Sequence, residues 1–263
     1  MLGKLLKYDL KWVYKLVVIF YILALIFSVI GRALSEIENS LVFNIVSQIA
    51  FGFAISMVVS SLINCLMRLW ARFVRNIYKD ESYLTHTLPV GKEKIYASKV
   101  ISGLVCIFTT TIVAIVCLFI CYYSEANIEA LKTILELAAS TYNITVVNLL
   151  ILISAVLFLE VMFILIIGYA GIILGHKSNK NKMARSIVIA FALYFIFQAV
   201  TLGLICIYGL FNPNVMNLIN TTETIDINAI KSIMYAACGI YVVYIIFLYF
   251  LGKKQLNKGV NVE

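Results

Sequence analysis

Stretches without Asp, Glu, Lys or Arg dominate this chain. They cover 16–31, 41–67, 100–124, 137–159, 161–175, 186–222 and 232–252. A helix needs about 20 apolar residues to cross the hydrocarbon core of a bilayer. The pattern therefore predicts six spans, near 13–33, 43–67, 100–123, 148–175, 187–211 and 231–251. Only Glu160 separates two of the runs, so 148–175 reads as one helix. At the rise of an α-helix it is about 42 Å long and must tilt or protrude. The alternation of barrel strands is missing, and the runs are far longer than such strands. The expected fold class is all-α: a polytopic membrane protein of six transmembrane helices in one domain over 1–263.

Polar positions then orient the spans. Six spans place both termini on one side. Residues 1–15, 68–99, 176–186 and 252–263 hold 18 of the 21 Lys and Arg residues. The opposite loops hold Arg32, Lys132 and Lys231 with seven Asp or Glu. Cytoplasmic loops carry the excess of Lys and Arg, so both termini are expected in the cytoplasm.

Composition agrees. Hydrophobic residues make up 63% of the 263 and charged ones 13%, against roughly 25% charged in an average soluble domain. A soluble globular domain and a disordered chain are both excluded. The net charge of +8 is a topology signal and points to no nucleic-acid partner, because the basic residues flank spans and form no separate domain. The first apolar run lacks a small-residue cleavage site, so no cleavable signal peptide is expected. All six cysteines fall within predicted spans without a CxxC pair and read as small hydrophobes.

Between the spans, residues 1–15 place Leu2, Leu5, Leu6, Leu10 and Val13 at helical spacing. Lys4, Lys7, Lys11 and Lys15 run along a neighbouring face. This predicts an amphipathic interfacial helix, with lysines at anionic headgroups of membrane lipid and Trp12 and Tyr14 at headgroup depth. The second span runs on into Arg68, Arg72, Arg75 and Lys79, one helical stripe able to meet phospholipid phosphates or an acidic protein patch. Then comes Asp80-Glu81-Ser82-Tyr83-Leu84-Thr85-His86-Thr87-Leu88-Pro89. Asp80 suits an N-cap and Glu81 the first turn, while Pro89 disfavours helix at Leu88. A two-turn helix results. It fits a groove on a soluble partner or is an ordinary interfacial turn. On the opposite side, 125–139 reads as an amphipathic helix and 212–230 as a re-entrant or outer-surface segment. Asn143-Ile144-Thr145 and Asn220-Thr221-Thr222 match a glycosylation sequon, a pattern common by chance.

Catalytic motifs are missing. The nearest imitation of a phosphate loop, Gly171-Ile172-Ile173-Leu174-Gly175-His176-Lys177-Ser178, is one residue out of register with GxxxxGK[ST]. Gly171 and Gly175 read better as a small-residue packing face. HExxH and GxSxG are absent, and His86 and His176 are the only histidines. No metal and no cofactor is expected in this chain, and it is expected not to be an enzyme. Glu160 lies near the midplane of its span. A carboxylate there costs about 2.5–3.5 kcal/mol or more, which excludes a lone lipid-facing position. Either it bonds a polar side chain such as Asn64 or Gln198 and glues helices together, or it lines a path for a cationic substrate.

In topology and in the segment 68–99 the chain resembles the permease subunits of type-2 ABC exporters, especially small bacterial ones handling antimicrobial or amphipathic peptides. Six spans with cytoplasmic termini, the N-terminal elbow helix, the basic second cytoplasmic segment, and the run from Asp80 to Val90 followed by Lys99 carry the likeness. Gly91 stands where such permeases often have a hydroxyl residue. The resemblance implies that Asp80, Glu81, Tyr83, Leu84, Thr85, His86, Thr87 and Leu88 form a coupling helix. It also implies two copies of a separate cytoplasmic ATPase that hold ATP and Mg, a second permease copy, an exported peptide, and a multi-pass place in a bacterial plasma membrane. The alternative is a non-transporting membrane sensor or immunity scaffold, which needs no ATPase.

Overall fold

The computed structural model describes residues 2–37, 41–87, 89–141, 144–178, 180–211 and 227–259. Leu88, both sequon asparagines and most of the expected surface segment at 212–230 lie outside them. The described residues form α1 (Leu2–Ser35), α2 (Leu41–Ile77), α3 (Ser82–Thr87), α4 (Lys92–Tyr122), α5 (Glu125–Thr141), α6 (Val146–Gly175), α7 (Lys182–Phe211) and α8 (Ile227–Asn257). The fold is all-helical, and α1, α2, α4, α6, α7 and α8 are long and apolar enough to cross a membrane. The helices extend past the predicted spans because their charged flanks continue the same helix.

Packing divides the chain into two compact units, one built on α1 to α4 and one on α6 to α8, with the division inside α5 between Glu129 and Ala130. Lipid is as apolar as leucine, so spans associate through small residues, close packing and hydrogen bonds. In the first unit, the buried line of α1 runs Asp9, Val13, Val17, Tyr21, Ala24, Ser28 and Gly31. A methyl group on Gly31 would lie 2.6 Å from the Phe51 ring of α2. Tyr21 Oη and Thr110 Oγ1 of α4 are 2.6 Å apart, and Tyr14 Oη and Thr109 Oγ1 also 2.6 Å.

One sequence expectation changes here. Residues 2–15 are not a separate interfacial helix; they are the opening turns of α1, which runs unbroken to Ser35. No proline or glycine interrupts the chain between Gly3 and Gly31. Asp9 and Val13, 2% and 0% exposed, tie these turns into the bundle.

In the second unit, Gly171 and Gly175 of α6 meet Ala190 and Ser186 of α7. A methyl group on Gly171 would lie 2.7 Å from Ala190 Cβ, and one on Gly175 would lie 2.5 Å from Ser186 backbone atoms. Each helix thus offers two small residues one turn apart. Gly175→Val should therefore force α6 and α7 apart and cost about 1–3 kcal/mol, read as a lowered melting temperature of the purified protein. Unchanged stability would contradict the close approach. Nearby, Phe163 and Phe197 have ring centroids 4.1 Å apart, with Tyr241 and Tyr244 of α8 against Phe197 at 5.1 and 4.5 Å. α5 spans the stretch expected to be amphipathic, and its Ile128, Leu131 and Ile134 are exposed.

Candidate functional site

The polar chemistry of the first unit gathers at the end of α2. Arg68, Arg72 and Arg75 lie on one side of that helix, four and three residues apart. The Arg68 guanidinium stacks 3.7 Å over the Trp12 ring and donates to Trp12 O at 2.7 Å. A cation on an indole face is favourable, more so when desolvated. Arg72 donates from Nε to Asp9 Oδ1 at 3.2 Å and from Nη1 to Glu81 Oε2 at 2.7 Å. Lys99 Nζ of α4 reaches the same Asp9 oxygen at 2.6 Å. Arg75 Nε holds Glu81 Oε1 at 3.1 Å and lies 3.8 Å from Asp80.

These groups form a chain, Lys99–Asp9–Arg72–Glu81, whose two positive and two negative charges balance. It joins α4, α1 and α2 to the turn that opens α3. Lys99 and Asp9 are each about 4% exposed in their side chains. Buried charges persist only when paired and hydrogen-bonded. Burial also pushes the phenol of Tyr78, just past α2, above its ordinary pKa, so it stays neutral.

α3 rests on this base. Ser82 and Thr85 are buried. The Thr85 hydroxyl donates to Glu81 O at 2.8 Å, and His86 Nε2 lies 3.2 Å from Ile77 O. Thr87 donates to Leu84 O at 3.0 Å. Asp80 turns back toward Arg75, and the helix starts at Ser82. The outward face carries Tyr83 and Leu84, 74% and 72% exposed. α4 then starts from Gly91 with no side-chain cap.

Other expected residues fall elsewhere. Lys4, Lys7, Lys11 and Lys15 are exposed along α1. Arg68 and Arg72 face Trp12, Asp9 and Glu81 instead of headgroups, and Arg75 is half-exposed. Asn64 donates to Ser60 O of its own helix at 2.8 Å, and Gln198 is exposed. Neither is bonded to Glu160, which accepts a hydrogen bond from Tyr241 of α8. The sequence reading missed Asp9. Its signal was its register with the buried Val13, Val17 and Tyr21, at intervals of four.

Reactive chemistry finds little support among the described residues. No group of three or more His, Cys, Asp or Glu is placed to hold a metal ion. The described cysteines are all free. Ser186 Oγ lies 3.3 Å from His176 Nδ1, but both are buried, and the hydroxyl also donates to Lys182 O at 2.8 Å. That contact belongs to the α6–α7 packing. No family model, curated protein or solved structure matches this chain.

The bond to Tyr241 has a measurable value. Tyr241→Phe should cost about 0.6 kcal/mol, the average for a hydrogen bond between spans. Glu160→Gln should keep the bond and leave folding unchanged. A large loss of thermal stability in the Gln variant would show that the charge itself is needed.

Proposed function

We propose that this chain is the membrane-spanning subunit of a type-2 ABC exporter that moves an amphipathic or antimicrobial peptide across a bacterial plasma membrane. In this reading two copies of the chain pair, and two separate ATPase subunits bind and hydrolyse ATP. The observation that carries it is α3. Six residues of helix stand on a buried, charge-balanced base and present an aromatic and an aliphatic side chain outward. An anchor of that kind suits a groove in a soluble partner. The base ties it to α1, α2 and α4 together, so a displacement of α3 reaches three membrane-compatible helices through ionic contacts rather than through one flexible loop.

The test is reconstitution. The chain is co-expressed with the soluble ATPase encoded beside it, purified, and placed in vesicles. Supporting results are a complex of equal numbers of the two subunits and ATP-dependent uptake of a cationic amphipathic peptide into inside-out vesicles. A chain that purifies without any ATPase and supports no ATP-dependent uptake would refute the reading.

The orientation has its own test. In a cysteine-free background, Val90→Cys and Lys180→Cys should be shielded from an impermeant thiol reagent in intact cells, and Ala130→Cys should react. Labelling of Lys180→Cys from outside would overturn the orientation.

A further inference from the structure

Basic residues at the end of the second unit lack the counter-charges found in the first. Lys177, Lys180, Lys182 and Arg185 flank the turn from α6 to α7, and Lys253, Lys254 and Lys258 end α8. No Asp or Glu occurs in 161–211 or in 227–259. The seven cations share one end of the unit, because Lys177 Nζ donates to Gln255 of α8. Arg185 donates to Ser178 across the turn, which Asn181 closes at φ 52°. The approach of Gly175 to Ser186 holds the two helix ends together. These partners are neutral, so the positive charge is left uncompensated. Lys177, Lys180, Arg185, Lys254 and Lys258 are exposed.

Exposed apolar side chains lie on the same turns. Met183 and Ile187 are 47% and 55% exposed beside Arg185, and Phe250 is 58% exposed one turn before Lys254. Cations at the rim of an apolar surface match a molecule with an anionic head and hydrocarbon tails. An acidic protein surface would satisfy the cations and leave Met183, Ile187 and Phe250 uncovered. Clusters of four to eight Lys and Arg next to a span are matched to anionic lipid.

We infer that this end of the second unit is a binding surface for anionic phospholipid, with the phosphodiester headgroup among Lys177, Lys180, Arg185 and Lys254 and the acyl chains along α7 and α8. The inference stands apart from the transport reading and needs no ATPase.

The full-length protein, purified in a zwitterionic detergent, is titrated with phosphatidylglycerol and with phosphatidylcholine of the same acyl chains, and bound lipid is counted by native mass spectrometry. Phosphatidylglycerol should bind at least tenfold more tightly. The variant combining Lys180→Gln, Arg185→Gln and Lys254→Gln should lose about fivefold per charge removed. Lys180→Arg with Lys254→Arg should retain binding, and so should Lys4→Gln with Lys7→Gln and Lys11→Gln. Inorganic phosphate should not displace the lipid. If the Gln variant does not fold, the selectivity of the unaltered protein and the α1 variant decide. Equal affinity for both lipids, loss confined to the α1 variant, displacement by inorganic phosphate, or a folded Gln variant that binds as before would each overturn the proposal.

Discussion

Replacing Tyr83 and Leu84 together with Asp abolishes binding of the ATPase subunit while the chain still inserts and folds. Both side chains are about three-quarters exposed, so neither contributes to the packing of the first unit. A buried aromatic anchor at the centre of an interface carries about 2 kcal/mol or more. Two such losses, with two carboxylates driven into an apolar groove, weaken the complex by at least a thousandfold, since about 1.4 kcal/mol is a factor of ten. The measurement is co-purification and ATP-driven uptake in vesicles, with the melting temperature of the isolated chain as the folding control. Thr85→Ala is the informative contrast. It removes a buried hydroxyl beneath α3 and loosens the base without touching the outward face. Normal ATPase binding and uptake by the Asp variant would end the docking role of α3.

The second large effect belongs to Asp9. Asp9→Leu strips Lys99 of its carboxylate and takes one of two carboxylates from Arg72. Removing one member of a buried ion pair costs about 3–5 kcal/mol. That is a large part of the ~5–15 kcal/mol by which folded proteins are stable, so little folded protein should accumulate. Lys99→Met should cost less, because Asp9 keeps Arg72 at 3.2 Å. Asp9→Leu combined with Lys99→Met should recover most of the loss, since Arg72 keeps Glu81. The readout is the amount and thermal stability of monodisperse protein in detergent. Equal stability of Asp9→Leu and the parent chain would show that the buried charges hold nothing together.

Much of the architecture was legible because a bilayer imposes a long, simple signal. Runs of apolar residues located six helices, and Gly171 with Gly175 announced a close helix approach without any knowledge of the partner. The continuity of α1 was not legible. Lysines on one face and leucines on another describe an interfacial helix and the first turns of a span equally well, and only the burial of Asp9 separates them. The arginines of α2 misled for a related reason. Periodicity shows that Arg68 and Arg72 share a face, but whether that face meets lipid or Trp12 and Asp9 depends on residues about 60 positions away. Glu160 behaved likewise: an intramembrane carboxylate demands a partner, and the sequence offers many. Tyr241 was one tyrosine among 16 and carried no mark of its own.

The ionic chain also sets an order of events during synthesis. Asp9 is made 63 residues before Arg72 and 90 before Lys99. A nascent chain that has released only α1 therefore presents a carboxylate with neither of its cations, and one that stops before α4 still lacks Lys99. The first unit can close only when α4 has arrived, so its assembly waits on about a hundred residues of translation. Truncations ending before Lys99 should stay substrates for membrane quality control, and those ending after α4 should escape it.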